Sequence, residues 1–305
     1  MNKKFAALLL VGVISSGLIY THPAYAHNFG GDQSASWLAK VAEIKTEVAN
    51  VAKHVGQKDT IGYYDDALGE YWTANDTREM GERNTLLQQE IPSTINATLD
   101  DATAGNQSMV NDDVAKLNGY LDESVPVRID KDNLNNSTVQ ALAVVFVIKE
   151  SLEKYGDAVN STVDLNDMSQ MTMSSHDMSG GNMTNMASST VVNADAYENS
   201  VSLATEAQQM FSDVASKNPG ITYNSKISDG FAKLVQDLNN KADVNTIMID
   251  VHVGIHPTLI MAYNIQEAGA HGESVVPEFP MPALLRIIAI AGAVMATRFK
   301  SHLGF

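Results

Sequence analysis

Six methionines, Met168, Met171, Met173, Met178, Met183 and Met186, stand with His176 inside nineteen residues whose other side chains are Ser, Thr, Asn, Asp, Gln and Gly. A thioether contributes packing when Leu, Ile, Val or Phe surround it. None does here, so the composition predicts a flexible, solvated segment rather than core. Thioether sulfur is a soft, uncharged donor suited to Cu(I), and imidazole serves both copper oxidation states. Met168-x-x-Met171-x-Met173 followed by His176-x-Met178 therefore reads as a copper tract, the alternative being a solvated linker that collects methionine. The chain has no cysteine, which removes disulfides, thiolate metal sites, thiol nucleophiles and blue-copper centres of the His2Cys kind. Metal chemistry is left to His, Met and carboxylate.

A second constellation is Met248, His252 and His256, at i, i+4 and i+8 on one helical stripe. Ile247, Val251, Val253, Ile255, Leu259 and Ile260 surround it and predict a dry interior, where an imidazole needs a hydrogen bond or a metal. Pro257 disfavours helical geometry at His256 and should bend the helix there. The competing reading is two satisfied core histidines beside a kink. His54 is expected to serve the last carbonyls or the dipole of the first helix, and His271 to be solvated. Asp65 and Asp66, like Asp100 and Asp101, point about 100 degrees apart on a helix and read as solvated faces. There is no Ser-His-Asp arrangement, phosphate loop, dinucleotide fingerprint or zinc-protease helix, so the expectation is a protein that is not an enzyme.

Lys3 and Lys4, the apolar run from Phe5 to Tyr20 and Ala24-Tyr25-Ala26 form a signal peptide, residues 1–26, which places the chain outside the cell. Cleavage there leaves His27 first, offering its α-amine and imidazole to one Cu(II). That pair resembles the chelating half of the histidine brace in some copper oxygenases and periplasmic copper carriers. At the other end, residues 281–297 are apolar except for Arg286 and just long enough to span a membrane. Arg286 can snorkel to the headgroups, and Arg298 and Lys300 place the tail, residues 298–305, in the cytoplasm. Val276-Pro277-Glu278-Phe279-Pro280, then a hydrophobic helix, then a basic cluster, resembles the archaeal C-terminal sorting signal. It departs from the common pattern in having Pro280 where glycine is frequent. The resemblance covers residues 276–300 and implies an archaeal cell-surface protein processed by an archaeosortase-type enzyme.

Removing residues 1–26 and 281–305 deletes five positive charges and no negative one, taking the net charge from −16 to −21. Such a surface lacks the basic footprint that nucleic acid needs, and it favours cations. Sequons at Asn75, Asn96, Asn106, Asn136, Asn160 and Asn182 suggest a glycosylated coat.

The elements that must position these residues are helices. Apolar residues recur at helical spacing over Trp37 to Val55, with Asp32 and Ser34 as capping candidates, over Ile61 to Tyr71, over Leu87 to Leu99 with a bend at Pro92, and over Val110 to Leu121. Leu134 to Tyr155 is apolar all round at Val144-Val145-Phe146-Val147-Ile148 and should be central. The period resumes at Tyr197 to Val214 and Ile227 to Leu238, and a last long helix is expected over Val244 to Glu267. Val114-Ala115-Lys116-Leu117 echoes Phe231-Ala232-Lys233-Leu234, as two related halves would. The fold class is all-α: a helical bundle with subdomains over 27–163 and 193–270, joined by a disordered Met-rich linker over 164–192, then a linker over 271–280. The function expected is an exported, membrane-anchored or sorted cell-surface copper-binding protein for capture, buffering or delivery to a copper-accepting partner. A glycosylated structural or adhesive surface protein is the alternative, and a copper oxidase or oxygenase built on His27 a third.

Overall fold

The computed structural model describes residues 33–167 and 188–266. Helix makes up about 80% of them and no strand occurs, as an all-α bundle requires. The helices are α1 (Gln33–Lys53), α2 (Lys58–Tyr71), α3 (Ala74–Gly81), α4 (Thr85–Ala104), α5 (Gln107–Arg128), α6 (Lys131–Leu134), α7 (Ser137–Ala158), α8 (Ala194–Lys217), α9 (Asn224–Asn239), α10 (Val244–Ile249) and α11 (His256–Tyr263). A π-helical segment, Asp250–Ile255, joins the last two.

Polar side chains set most starts. The side chains of Asn84, Asn136, Asn193 and Asp243 accept backbone N–H groups at the starts of α4, α7, α8 and α10. Thr73 and Asp76 form a capping box that starts α3, a helix without an apolar period long enough to show in the sequence. Gly105, at φ 85°, closes α4 in a left-handed conformation that suits glycine.

Two apolar clusters fill the interior. Trp37, Ile44, Val48 and Val51 of α1 pack with Ile61, Leu68, Leu87, Ile91, Leu117 and Leu121 of α2, α4 and α5. On the other side α7 and α8 make the most extensive helix pair, across the boundary expected between subdomains, and the described residues belong to one compact unit. Phe211 stacks on Phe231 at 5.5 Å and meets Tyr263 edge-on at 6.1 Å. The two centre helices, α1 and α7, are buried on more than one side. Val144, Val145, Val147 and Ile148 are buried, as the all-round apolar stretch requires, and so are Glu43 and Glu47.

The last helix differs from expectation. Val244 to Tyr263 is α, then π, then α, and ends at Asn264 in the left-handed region at φ 51°. Pro257 is the cause we assign. It has no N–H to give one turn back, and its ring would crowd that carbonyl. The backbone widens just before it, so that the His256 N–H reaches the Val251 carbonyl, an i→i+5 bond. Helix α9 holds this segment closely. A Cβ on Gly230 would sit 2.9 Å from Ile255 Cγ1 and 3.9 Å from the Gly254 backbone, so α9 can approach the π segment this closely only with glycine at 230. By contrast, α4 continues as helix through Pro92.

No helix among the described residues is long and apolar enough to cross a membrane. The signal peptide, His27, the Pro-Glu-Phe motif and the span at 281–297 lie outside the described residues.

Candidate metal centre

His252 and His256 sit on the π segment and the first residue of α11. His252 is buried, and its Nε2 lies 2.7 Å from the carbonyl oxygen of Leu165. A carbonyl only accepts, so Nε2 carries the proton and Nδ1 keeps the lone pair. Nδ1 is buried with no hydrogen-bond partner among the described residues. This is the arrangement of a ligating histidine, whose second nitrogen is fixed by a backbone carbonyl. The His256 ring stands 6.3 Å from that of His252, centroid to centroid, with planes 78° apart. Burial, with His252 and Lys149 nearby, lowers His256 to about 4, so its ring is neutral at pH 7. With metal–nitrogen bonds of about 2 Å on each side, 6.3 Å is near the widest separation at which one ion can join two imidazoles. Met248 is buried one turn earlier. Among the described residues no three His, Asp or Glu side chains gather as a metal site.

The pair stands where the methionine tract departs. Asn166 N–H bonds to Asp164 Oδ1 at 2.9 Å, and Asn166 Nδ2 to the Lys149 carbonyl at 3.3 Å, so the chain is pinned to α7 up to Asp167. Leu165 fits beside Gly156, where a Cβ would approach it to 3.3 Å. The return is pinned as well. Ser188 bridges to Ala242, and the Ser189 N–H reaches the Lys241 carbonyl at 2.7 Å. Val192 and Asn193 both donate to the Ala158 carbonyl. Residues 164–167 and 188–192, expected to belong to a flexible tract, are thus held by side-chain and backbone hydrogen bonds that composition does not show. Met168, Met171, Met173, His176, Met178, Met183 and Met186 lie outside the described residues.

His54 takes a different partner from the one expected. Its Nε2 lies 2.6 Å from Glu198 Oε2 of α8, and its ring stacks on Tyr64 at 6.1 Å. The asparagines of the five described sequons, Asn75, Asn96, Asn106, Asn136 and Asn160, are exposed.

A polar seam between the two apolar clusters escaped the sequence. Glu43, Glu47 and Asn50 follow one stripe of α1 and are all buried. Across from them on α7, Glu150 accepts from Tyr71 Oη at 2.8 Å and pairs with Lys154 Nζ at 3.0 Å. Ser151 and Ser200 exchange hydroxyl-to-carbonyl bonds of 2.8 Å and clamp α7 to α8. Burial, with Glu150 adding, raises Glu43 to about 8. Burial likewise raises Glu47 to about 8, the Asn199 amide beside it opposing only in part. For Lys154 burial works against the charge, and the Glu150 carboxylate outweighs it and raises the ammonium pKa. In sequence, a Glu-x-x-x-Glu-x-x-Asn stripe opposite an apolar one looks like a solvent face. The signal that it is not lies in α7, whose apolar circumference needs neighbours on every side.

The chain matches no family model, no curated protein and no solved structure at a significant level.

Proposed function

We propose that this is an exported copper-binding protein, held at or sorted to a cell surface, in which the methionine tract takes Cu(I) and the His252–His256 pair at its root takes copper as well. The observation that carries this reading is the His252 ring. Its Nε2–H is locked on the carbonyl of Leu165, three residues before the tract's first methionine, and its Nδ1 lone pair is buried beside a neutral His256. Met248 adds a soft donor one turn away, and the tract supplies more. His27, as the first residue after export, would chelate Cu(II) through α-amine and imidazole. The acidic domain would concentrate cations near the surface and pass copper to an accepting protein. Glycans on the exposed sequons and the Pro-Glu-Phe sorting signal fit the same location.

The test is copper stoichiometry on the chain processed to begin at His27. Replacing the six tract methionines by Leu should remove Cu(I) sites without altering helical content, and His252→Ala should remove a further one. Undiminished Cu(I) binding in the first variant ends the role of the tract. Absence of copper binding by the parent leaves the structural or adhesive reading.

A further inference from the structure

Buried polar atoms in native proteins nearly always have partners, and a group of them without any marks a missing water or ion. The seam holds such a group. Glu47 and Asn199 are 0% exposed, and among the described residues neither the two carboxylate oxygens nor the two amide atoms have a hydrogen-bond partner. The hydroxyls of Tyr63 and Tyr64 on α2 are buried and unpartnered too. Asn199 stands beside both Glu47 and Tyr63 without forming a bond to either in hydrogen-bond alignment. Helices α1, α2 and α8 therefore aim unsatisfied oxygens at one another in the interior.

We propose that this seam is a binding site for a divalent cation with hard oxygen ligands: the Glu47 carboxylate, the Asn199 side-chain carbonyl and the Tyr63 hydroxyl. Charge sets the sign. Glu43, Glu47, Glu70 and Glu150 gather around one ammonium, Lys154, which is already paired with Glu150 at 3.0 Å. A divalent cation offsets a surplus of carboxylates in a dry interior, whereas water does not. Donor type sets the class: carboxylate, amide and phenol oxygens suit Mg, Ca or Mn and lack the sulfur or imidazole that copper prefers. At the edge of the seam Glu70, 3.5 Å from Lys154, has a side chain that is 68% exposed. Glu47 faces Glu70, Tyr63 and Tyr64 of α2, Glu150 and Lys154 of α7, Asn199 of α8 and Glu43 on its own helix. The proposal is independent of the copper reading.

Titration of the intact chain with manganese(II) chloride, with free Mn2+ followed by electron paramagnetic resonance, tests it. One Mn2+ per chain is expected. Glu47→Gln and Asn199→Leu should each weaken binding by about 100-fold or more. Without metal, Asn199→Leu should melt no lower than the parent, because an unpartnered buried amide has gone. With Mn2+ only the parent should gain melting temperature. If Asn199→Leu does not fold, Glu47→Gln, which keeps the shape, decides alone. The six-methionine variant should bind Mn2+ unchanged, which separates this site from the tract. The proposal is overturned if the parent binds no stoichiometric Mn2+, if both variants bind as the parent does, or if K+ raises the melting temperature and Mn2+ does not.

Discussion

His256 of the histidine pair and Glu43 and Glu47 of the carboxylate seam are all kept uncharged near neutral pH, but from opposite directions. Burial lowers His256 to about 4, so acid must charge it. Burial raises Glu43 and Glu47 to about 8, so alkali must charge them. The first region is small and local, its geometry set by one proline and one carbonyl bond. The second spans four helices and holds the charge centres that join the two apolar clusters. Disturbing the seam should therefore cost the fold, and disturbing the pair should cost the site.

Lys154→Met should have the largest effect. It removes the buried ammonium that Glu150 pairs with and that Glu43 and Glu47 also feel. An uncompensated buried carboxylate costs roughly 3–5 kcal/mol, measurable as a lower urea midpoint at pH 8. Loss of less than about 1 kcal/mol would mean that the seam behaves like an exposed ion pair, and the contrast between the regions would vanish.

The pH dependence of stability sharpens the comparison. Glu43 and Glu47 each have a folded pKa of about 8 against an ordinary 4.5, so the contribution of each is complete below the ordinary value and is lost as pH rises to about 8. His256 works in the other direction: its contribution is complete above the ordinary 6.5 and is lost as pH falls to about 4. Stability should peak on the acid side of neutrality and fall by a few kcal/mol, on the order of one such shift, toward pH 8. Glu43→Gln and Glu47→Gln should each flatten the alkaline limb and leave the acid limb in place. A pH profile in which neither changes the alkaline slope would show that the two acids are not protonated in the folded state.

The helices were legible because their apolar periods are long, as with Trp37 to Val51 on α1 or Tyr197 to Val214 on α8. What was not legible came from contacts distant in the chain. The π segment follows from Pro257 together with the close approach of Gly230, and only Pro257 advertises itself. Glu47 reads as a surface residue until α7 and α8 cover it. His54 reads as a helix-end residue until Glu198 appears 144 positions away. The histidine pair was legible as spacing, while the carbonyl that orients it comes from Leu165, 87 positions earlier.

Gly230→Ala breaks the comparison from the other side. The added methyl would meet Ile255 Cγ1 at 2.9 Å, and either α9 or the π segment must move. Overpacking of this kind costs about 1–3 kcal/mol. Because the strain falls on the residue before His256, copper binding at the pair should weaken while Mn2+ binding at the seam stays as in the parent. Equal changes at both sites would mean that strain passes through the whole bundle.

The smallest effect is expected for His252→Ala. The substitution removes one hydrogen bond to the Leu165 carbonyl, a contribution of about 1 kcal/mol, and leaves a cavity at the edge of the π segment. The rest of that turn, Asp164 with Asn166 and Asn166 with Lys149, stays in place, so the global midpoint should barely move. The local consequence should be larger than the global one, because Leu165 loses the tie that joins the root of the methionine tract to the π segment. Amide exchange at Leu165, Asn166 and Asp167 should quicken about tenfold, while exchange along α7 is unchanged. Protection that is equal in parent and variant would show that Gly156 and the Asn166 bonds hold the root alone, and the histidine would then owe its position to metal rather than to the turn.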